Sequence, residues 1–182
     1  AEMSLREFQT ALASSSPTPG GGTAAAVSLG QAAALTCMVA DLTIGKEKWR
    51  DGWSAAEKAQ EVAISMFSRA LDLATDDSRA FDAVMMAFKL PKDDDEANEI
   101  RKQAIEQATL GAAEIPLQTA KLALSLLETL PALAKTGNGN AVTDVGVAAL
   151  LASAACKGAL FNVDINLSGM KGEIAEGYGS DA

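Results

Sequence analysis

The sequence predicts an all-α fold: an antiparallel bundle of long helices with short loops, pairing as a dimer. Three observations predict it. Val, Ile and Thr never build an alternating apolar–polar run, and aromatic residues are only 4% of the chain, so no strand is expected. Apolar residues recur instead at spacings of three and four over long segments that few glycines or prolines interrupt. Finally, the segments Thr23–Ile44 and Ala141–Val163 are apolar nearly all round. A domain this small seldom covers two such helices, which points to a homodimer that buries one of them.

Taken in order, Leu5–Leu12 is a short amphipathic helix closed by the serine–proline stretch Ser14–Pro19. Thr23–Ile44 is a helix of small residues ended by Gly45, and a basic, aromatic loop Lys46–Trp53 follows. Ser54 is a suitable N-cap for a helix that runs to Lys89, where Leu90-Pro91 stops it. The acidic run Asp93–Glu96 caps the next long helix, because carboxylates favour helix N-termini. Pro116 is expected to kink that helix, and Pro131 lies close to its end. Thr136–Asn140 is a turn, and a last apolar helix runs from about Ala141 to Val163 or beyond. Residues 1–168 thus make a single helical domain, and the glycine-rich polar tail 169–182 is expected to be flexible.

The totals exclude several classes of function. A formal charge of -9 and a pI near 4.5 argue against nucleic acid or an acidic membrane as the main partner. Cys37 and Cys156 stand alone in alanine-rich surroundings, as expected for buried, reduced thiols of a cytoplasmic protein. The chain has no histidine, which removes serine–histidine and cysteine–histidine triads, zincin motifs and a histidine base. Proton transfer falls to carboxylates, lysines or the single tyrosine. The two apolar runs approach membrane-spanning length, yet they are built from Ala and Gly and carry Gln31, Asp41, Asp144 and Lys157. Core helices are the better expectation for both.

Three polar features sit where packing alone would not put them. The stripe Met66, Ala70, Leu73, Asp77, Phe81, Val84, Phe88 places Asp77 where a core-facing seam wants leucine, while Asp76 and Asp82 fall off it. A carboxylate there costs several kcal/mol unless paired, hydrogen-bonded or protonated, which makes it an acid–base candidate. The alternative is a helix phase that leaves Asp77 at the seam's edge. On the last helix, Asp144, Ala148, Leu151, Ala155, Ala159, Asn162 and Asn166 share one face, polar at both ends and small in the middle. That face suits a flat ligand or a close helix, with caps at both ends as the alternative role of the polar groups. The run Gly20-Gly21-Gly22 precedes a helix, but no strand leads into it and no Gly-Lys-Ser/Thr follows. Known phosphate loops are thereby excluded, leaving bare N–H donors for a ligand oxygen, or a close helix crossing.

Together these stretches resemble the C-terminal domain family of formiminotransferase-cyclodeaminase, which includes free-standing methenyltetrahydrofolate cyclohydrolases. The resemblance is carried by Pro17–Ala26, Met38–Lys46, Asp77-Ser-Arg-Ala-Phe81, Lys89–Lys92, Ile115-Pro-Leu117, Gly137-Asn138, Thr143–Gly146 and Asn162–Asn166, in the family's order. It implies an all-helical dimer acting on a tetrahydrofolate derivative, with no metal and no redox cofactor. The family's catalytic carboxylate matches Asp77. By the same matching, Gly20, Gly21, Gly22, Lys46, Asn138, Asp144, Asn162 and Asn166 would line or support the folate pocket. Members generally continue with a further C-terminal helix, a pattern from which this chain departs after Gly169.

The resemblance offers two reactions around the carbon held between N5 and N10. Hydrolysis of 5,10-methenyltetrahydrofolate to 10-formyltetrahydrofolate is the expected one, because no formiminotransferase domain accompanies this sequence to deliver formimino-folate. Formiminotetrahydrofolate cyclodeamination is the alternative, and a non-catalytic helical folate-binding or dimerisation module is a third. No nucleic acid or membrane partner is expected.

Overall fold

The computed structural model describes residues 3–168 and Met170, so the expected polar tail lies outside the described residues apart from Met170. Among the described residues the chain is helical, without a strand. It comprises α1 (Leu5–Leu12), α2 (Gly21–Asp41), α3 (Trp53–Phe88), α4 (Asp95–Thr136) and α5 (Val142–Leu167). Short 3-10 turns at Glu47–Gly52 and Gly139–Ala141 lead into α3 and α5.

α2 packs against α3 and α5, α4 packs against the same pair, and α2 touches α4 more sparsely. The core between them is mostly alanine, with Leu29, Met66 and Leu126 filling the gaps between closely approaching backbones. α1 stands apart and buries no residue, although Ser4 and Glu7 cap it reciprocally.

Helix ends are tied by side chains. Gly45, at φ 75°, turns the chain out of α2 in a conformation only glycine adopts freely. Thr43 Oγ1 accepts the Asn138 N–H at 3.0 Å, and Asn138 Nδ2 donates to the Leu42 carbonyl at 3.0 Å. The end of α2 is thereby fastened to the α4–α5 turn. Ser54 does not cap α3 as expected; it lies inside the helix, because the turn Glu47–Gly52 runs directly into it and leaves no free N-terminus. Asp94 caps α4 as the acidic run implies, accepting the Ala97 N–H at 2.7 Å.

Pro116 and Pro131 both lie within α4, which continues through them to Thr136. A proline at 116 removes the N–H that would bond the Ala112 carbonyl one turn earlier. That carbonyl is satisfied instead by Asn166 Nδ2 of α5, at 2.8 Å. The polar group that the break would have orphaned therefore ties α4 to α5.

The apolar stripe of α3 ends sooner than its sequence implies. Met66, Ala70 and Leu73 are buried, but Phe81 and Phe88 are exposed. α2 begins beside Asp77, so the last part of α3 runs on beyond it, with Val84 and Phe88 sharing a groove with Lys102 and Ile105 of α4 and Ile165 of α5. Arg101 fastens the tip, donating from Nη2 to the Phe88 carbonyl at 3.3 Å and stacking on the Phe88 ring. Cys37 and Cys156 are free thiols, partly buried rather than fully so.

Candidate active site

Gly20 caps α2 without a side chain, so the cap residue itself offers no side-chain acceptor to the first N–H groups of the helix. The Asp77 carboxylate of α3 lies against this helix start. A Cβ on Gly22 would collide with Asp77 Oδ1 and lie 2.7 Å from its Cγ. Thr23 Oγ1 donates to Asp77 Oδ2 at 2.8 Å, and the Thr23 N–H serves the same carboxylate. Asp77 thus stands, from another helix, where an N-cap of α2 would stand. What approaches the glycine run is a side chain of the chain itself.

Burial beside Leu73, Ala74 and Ala26 pushes the Asp77 carboxyl above the usual carboxylate range, outweighing the two Thr23 hydrogen bonds that pull it down. Its neighbour Asp76 faces away and pairs with Arg69 at 3.5 Å and Arg79 at 3.7 Å. One aspartate is a solvated partner of arginines; the other is a partly desolvated carboxylate held by a hydroxyl and an amide.

Next to it runs a groove of about 890 Å³ between α1, α2 and α3, lined by Leu5, Phe8, Val27, Thr23, Ser78 and Arg79 among others. That volume falls within the range of about 300–1,000 Å³ typical of small-molecule sites. The Thr23 hydroxyl, 3.3 Å from the Ser78 hydroxyl, belongs both to the groove wall and to the Asp77 carboxylate. Thr23 and Ser78 were not legible as site residues. Their only signals are adjacency: Thr23 follows the glycines, and Ser78 follows Asp77.

The other expected site residues divide into two groups. Asn162 joins the Asp77 end: its Nδ2 lies 3.6 Å from where a Gly21 Cβ would be, and donates to the Gly158 carbonyl at 2.8 Å. Asn166 lies one turn further on, its amide nitrogen bonded to Ala112. Lys46, Asn138 and Asp144 sit at the far end of α2, about 30 Å away at ~1.5 Å rise per residue. One protomer therefore does not bring them to Asp77. Asn138 is occupied there in fastening α2, and it also accepts the Asn140 N–H at 3.0 Å. Among the described residues no three His, Cys, Asp or Glu side chains cluster as a metal site would need.

An all-helical bundle that holds a partly desolvated aspartate against a helix start, beside an apolar groove, is equipped for acid–base chemistry on a small organic ligand. The chain belongs to the formiminotransferase-cyclodeaminase family, whose profile matches residues 4–176. It is 38% identical over 166 residues to a methenyltetrahydrofolate cyclohydrolase of Methylorubrum extorquens, covering 91% of this chain and 80% of that one. Formimidoyltransferase-cyclodeaminases of Rattus norvegicus and Gallus gallus are 32% and 35% identical over 95% and 93% of this chain. The chain spans about a third of their length, 32% and 31%. The crystal structure of formiminotetrahydrofolate cyclodeaminase from Thermotoga maritima matches with a TM-score of 0.86 and 30% identity, over 99% of this chain and 86% of that one.

Proposed function

We propose that this protein is a folate one-carbon enzyme that hydrolyses 5,10-methenyltetrahydrofolate to 10-formyltetrahydrofolate, with Asp77 as the acid–base group. The observation that carries the acid–base role is the Asp77 carboxylate, lodged against Gly22 at the edge of the groove. The choice of hydrolysis is supported by the cyclohydrolase of Methylorubrum extorquens, which this chain matches over 80% of its length.

The ionised Asp77 accepts a proton from water as the water oxygen bonds to the methenyl carbon. The cationic amidinium is neutralised and the carbon becomes tetrahedral. Asp77 then returns its proton to N5 as the N5–carbon bond breaks. The hydroxyl on that carbon loses its proton to solvent and becomes the formyl oxygen on N10. One proton is released per turnover, and the carboxylate ends as it began. A raised pKa suits both halves, since the group must take a proton and then give it up. While ionised it also stabilises the methenyl cation. Thr23 orients the carboxylate, and the glycines let it lie against the backbone.

Cyclodeamination is the second function, favoured by the structural match to the Thermotoga maritima enzyme. There N10 attacks the N5-formimino carbon and ammonia leaves, with the same carboxylate moving the proton. Purified protein given each folate in turn, with the methenyl absorbance followed, separates the two. Rapid loss of methenyl-folate absorbance supports hydrolysis. Its appearance from formimino-folate alone assigns the deaminase. Binding of folate with turnover of neither leaves a non-catalytic binding module.

A further inference from the structure

One face of α3 forms a wall of the groove beside the start of α2. Leu71, Ala74, Thr75, Ser78 and Asp82, spaced by three and four, all stand on that wall. Asp77 is not among the described residues of the groove lining. At about 100° per residue it lies on the adjoining face of the helix with Ala70 and Leu73, which are buried in the core. The Asp77 carboxylate therefore sits behind the wall. Two hydroxyls stand between it and the groove. Thr23 Oγ1, on the wall from α2, donates to Asp77 Oδ2 at 2.8 Å and lies 3.3 Å from Ser78 Oγ, on the wall from α3. The titratable groups of the wall are Glu7, Arg79 and Asp82, of which Glu7 accepts from Ser4 and Arg79 pairs with Asp76.

Proton counting fixes the direction of this chain. An ionised carboxylate only accepts, and a hydroxyl has one proton to give. The Thr23 proton is committed to Asp77, so at the second contact Ser78 donates and Thr23 accepts. Ser78 Oγ then offers the groove an acceptor. Once Asp77 holds a proton, every bond can reverse: Asp77 donates to Thr23, Thr23 to Ser78, and Ser78 offers the groove a donor. The charge state of a carboxylate behind the wall thus decides what the wall presents. Burial there also holds the carboxyl above its usual range, a poise that groove water would erase.

We propose that Ser78 and Thr23 form a proton relay that carries the acid–base function of Asp77 to the folate in the groove. The inference rests on the proposed hydrolysis and adds the route its proton takes. In the first half, the attacking water gives a proton to Ser78 Oγ as its oxygen bonds to the methenyl carbon. Ser78 passes its own proton to Thr23, and Thr23 passes its own to Asp77 Oδ2. Each hydroxyl gains one proton and loses one, so only Asp77 changes charge. In the second half the transfers run backwards. Ser78 delivers a proton to N5 as the N5–carbon bond breaks and its electron pair stays on N5. Asp77 is ionised again and the chain is reset.

Ser78→Ala cuts the outer link while leaving the Thr23 hydroxyl and N–H on Asp77. Its single-turnover rate on methenyl-folate is expected to fall about 10²-fold, the lower end of what a positioned proton transfer contributes. Thr23→Val has the shape of threonine and keeps the N–H that holds Asp77, yet it should lose as much. Thr23→Ser restores the hydroxyl and should recover most of the rate. Solvent isotope effects count the moving protons, which a purely structural role leaves alone. In mixtures of H2O and D2O the wild-type rate is expected to follow a bowed curve, because several protons move together, and the Ser78→Ala rate a straight line. A Ser78→Ala protein as active as wild type, or a straight line for wild type, overturns the relay. If the wild type turns over neither folate, the proposed reaction fails by itself. The chain is then decided by carbon NMR titration of the Asp77 carboxyl. A Ser78 hydroxyl that donates to Thr23 strengthens the bond favouring ionised Asp77, so Ser78→Ala should move the midpoint upward with helical circular dichroism retained. An unmoved midpoint overturns the chain.

Discussion

Asp76 and Asp77 are adjacent in sequence and opposite in fate, because a turn of 100° separates arginine-rich solvent from the start of another helix. Asp77→Asn keeps an acceptor for Thr23 and removes the proton transfer. Turnover should fall about 10²–10⁴-fold, as measured by methenyl absorbance. Stability should move the other way. A carboxyl whose folded pKa is raised binds its proton more tightly in the native chain than in the unfolded one. Its contribution is full below the ordinary carboxylate range and is lost as pH rises through the raised value. Asp77→Asn should therefore melt higher than wild type at neutral pH, with the gap closing on acidification. Thr23→Val removes a hydrogen bond that favours the ionised form, so the acidic limb of the kcat/KM profile should move to higher pH. Gly22→Ala puts a methyl into the carboxylate. Overpacking of this kind costs about 1–3 kcal/mol, and denaturant melts together with a loss of activity should reveal it.

At the scale of elements, the Pro116–Asn166 pair separates a structural role from a catalytic one. Asn166→Leu leaves the Ala112 carbonyl without its donor, which should cost about 1–3 kcal/mol in a denaturant melt. In a Pro116→Ala background the helix regains its own N–H for Ala112, and the same substitution should cost much less. A double-mutant cycle with no coupling would contradict that account. Neither residue type reveals the link in sequence, since residues 112 and 166 meet only after α4 and α5 have packed. The stripe on α3 was legible as far as Asp77 and misleading beyond it. Helical phase reports which residues share a face, and whether anything covers that face depends on where α2 begins. Phe81 and Phe88 keep the phase and lose the cover.

At the scale of the whole molecule, exposed Leu150, Phe161 and Ile165 on α5 are apolar side chains that a second copy would cover if the expected dimer forms. If folding and pairing are linked, a tenfold rise in protein concentration stabilises the native dimer by about 1.4 kcal/mol and should raise its Tm by a few degrees. Leu150→Arg should abolish that dependence.

Helix periodicity, the absence of histidine and the ordered family motifs determined the all-helical class, the folate chemistry and the singling out of Asp77. The helical class and the folate family were legible because periodicity and residue chemistry are local properties. Tertiary structure alone decided that the Asp77 carboxylate is what presses on Gly22, that Thr23 and Ser78 join it, and that Asn138 and Asn166 tie helices together. It alone divided Lys46 from Asp77 by the length of α2. These are contacts between residues far apart in sequence, and they exist only once helix lengths and packing fix which ends meet.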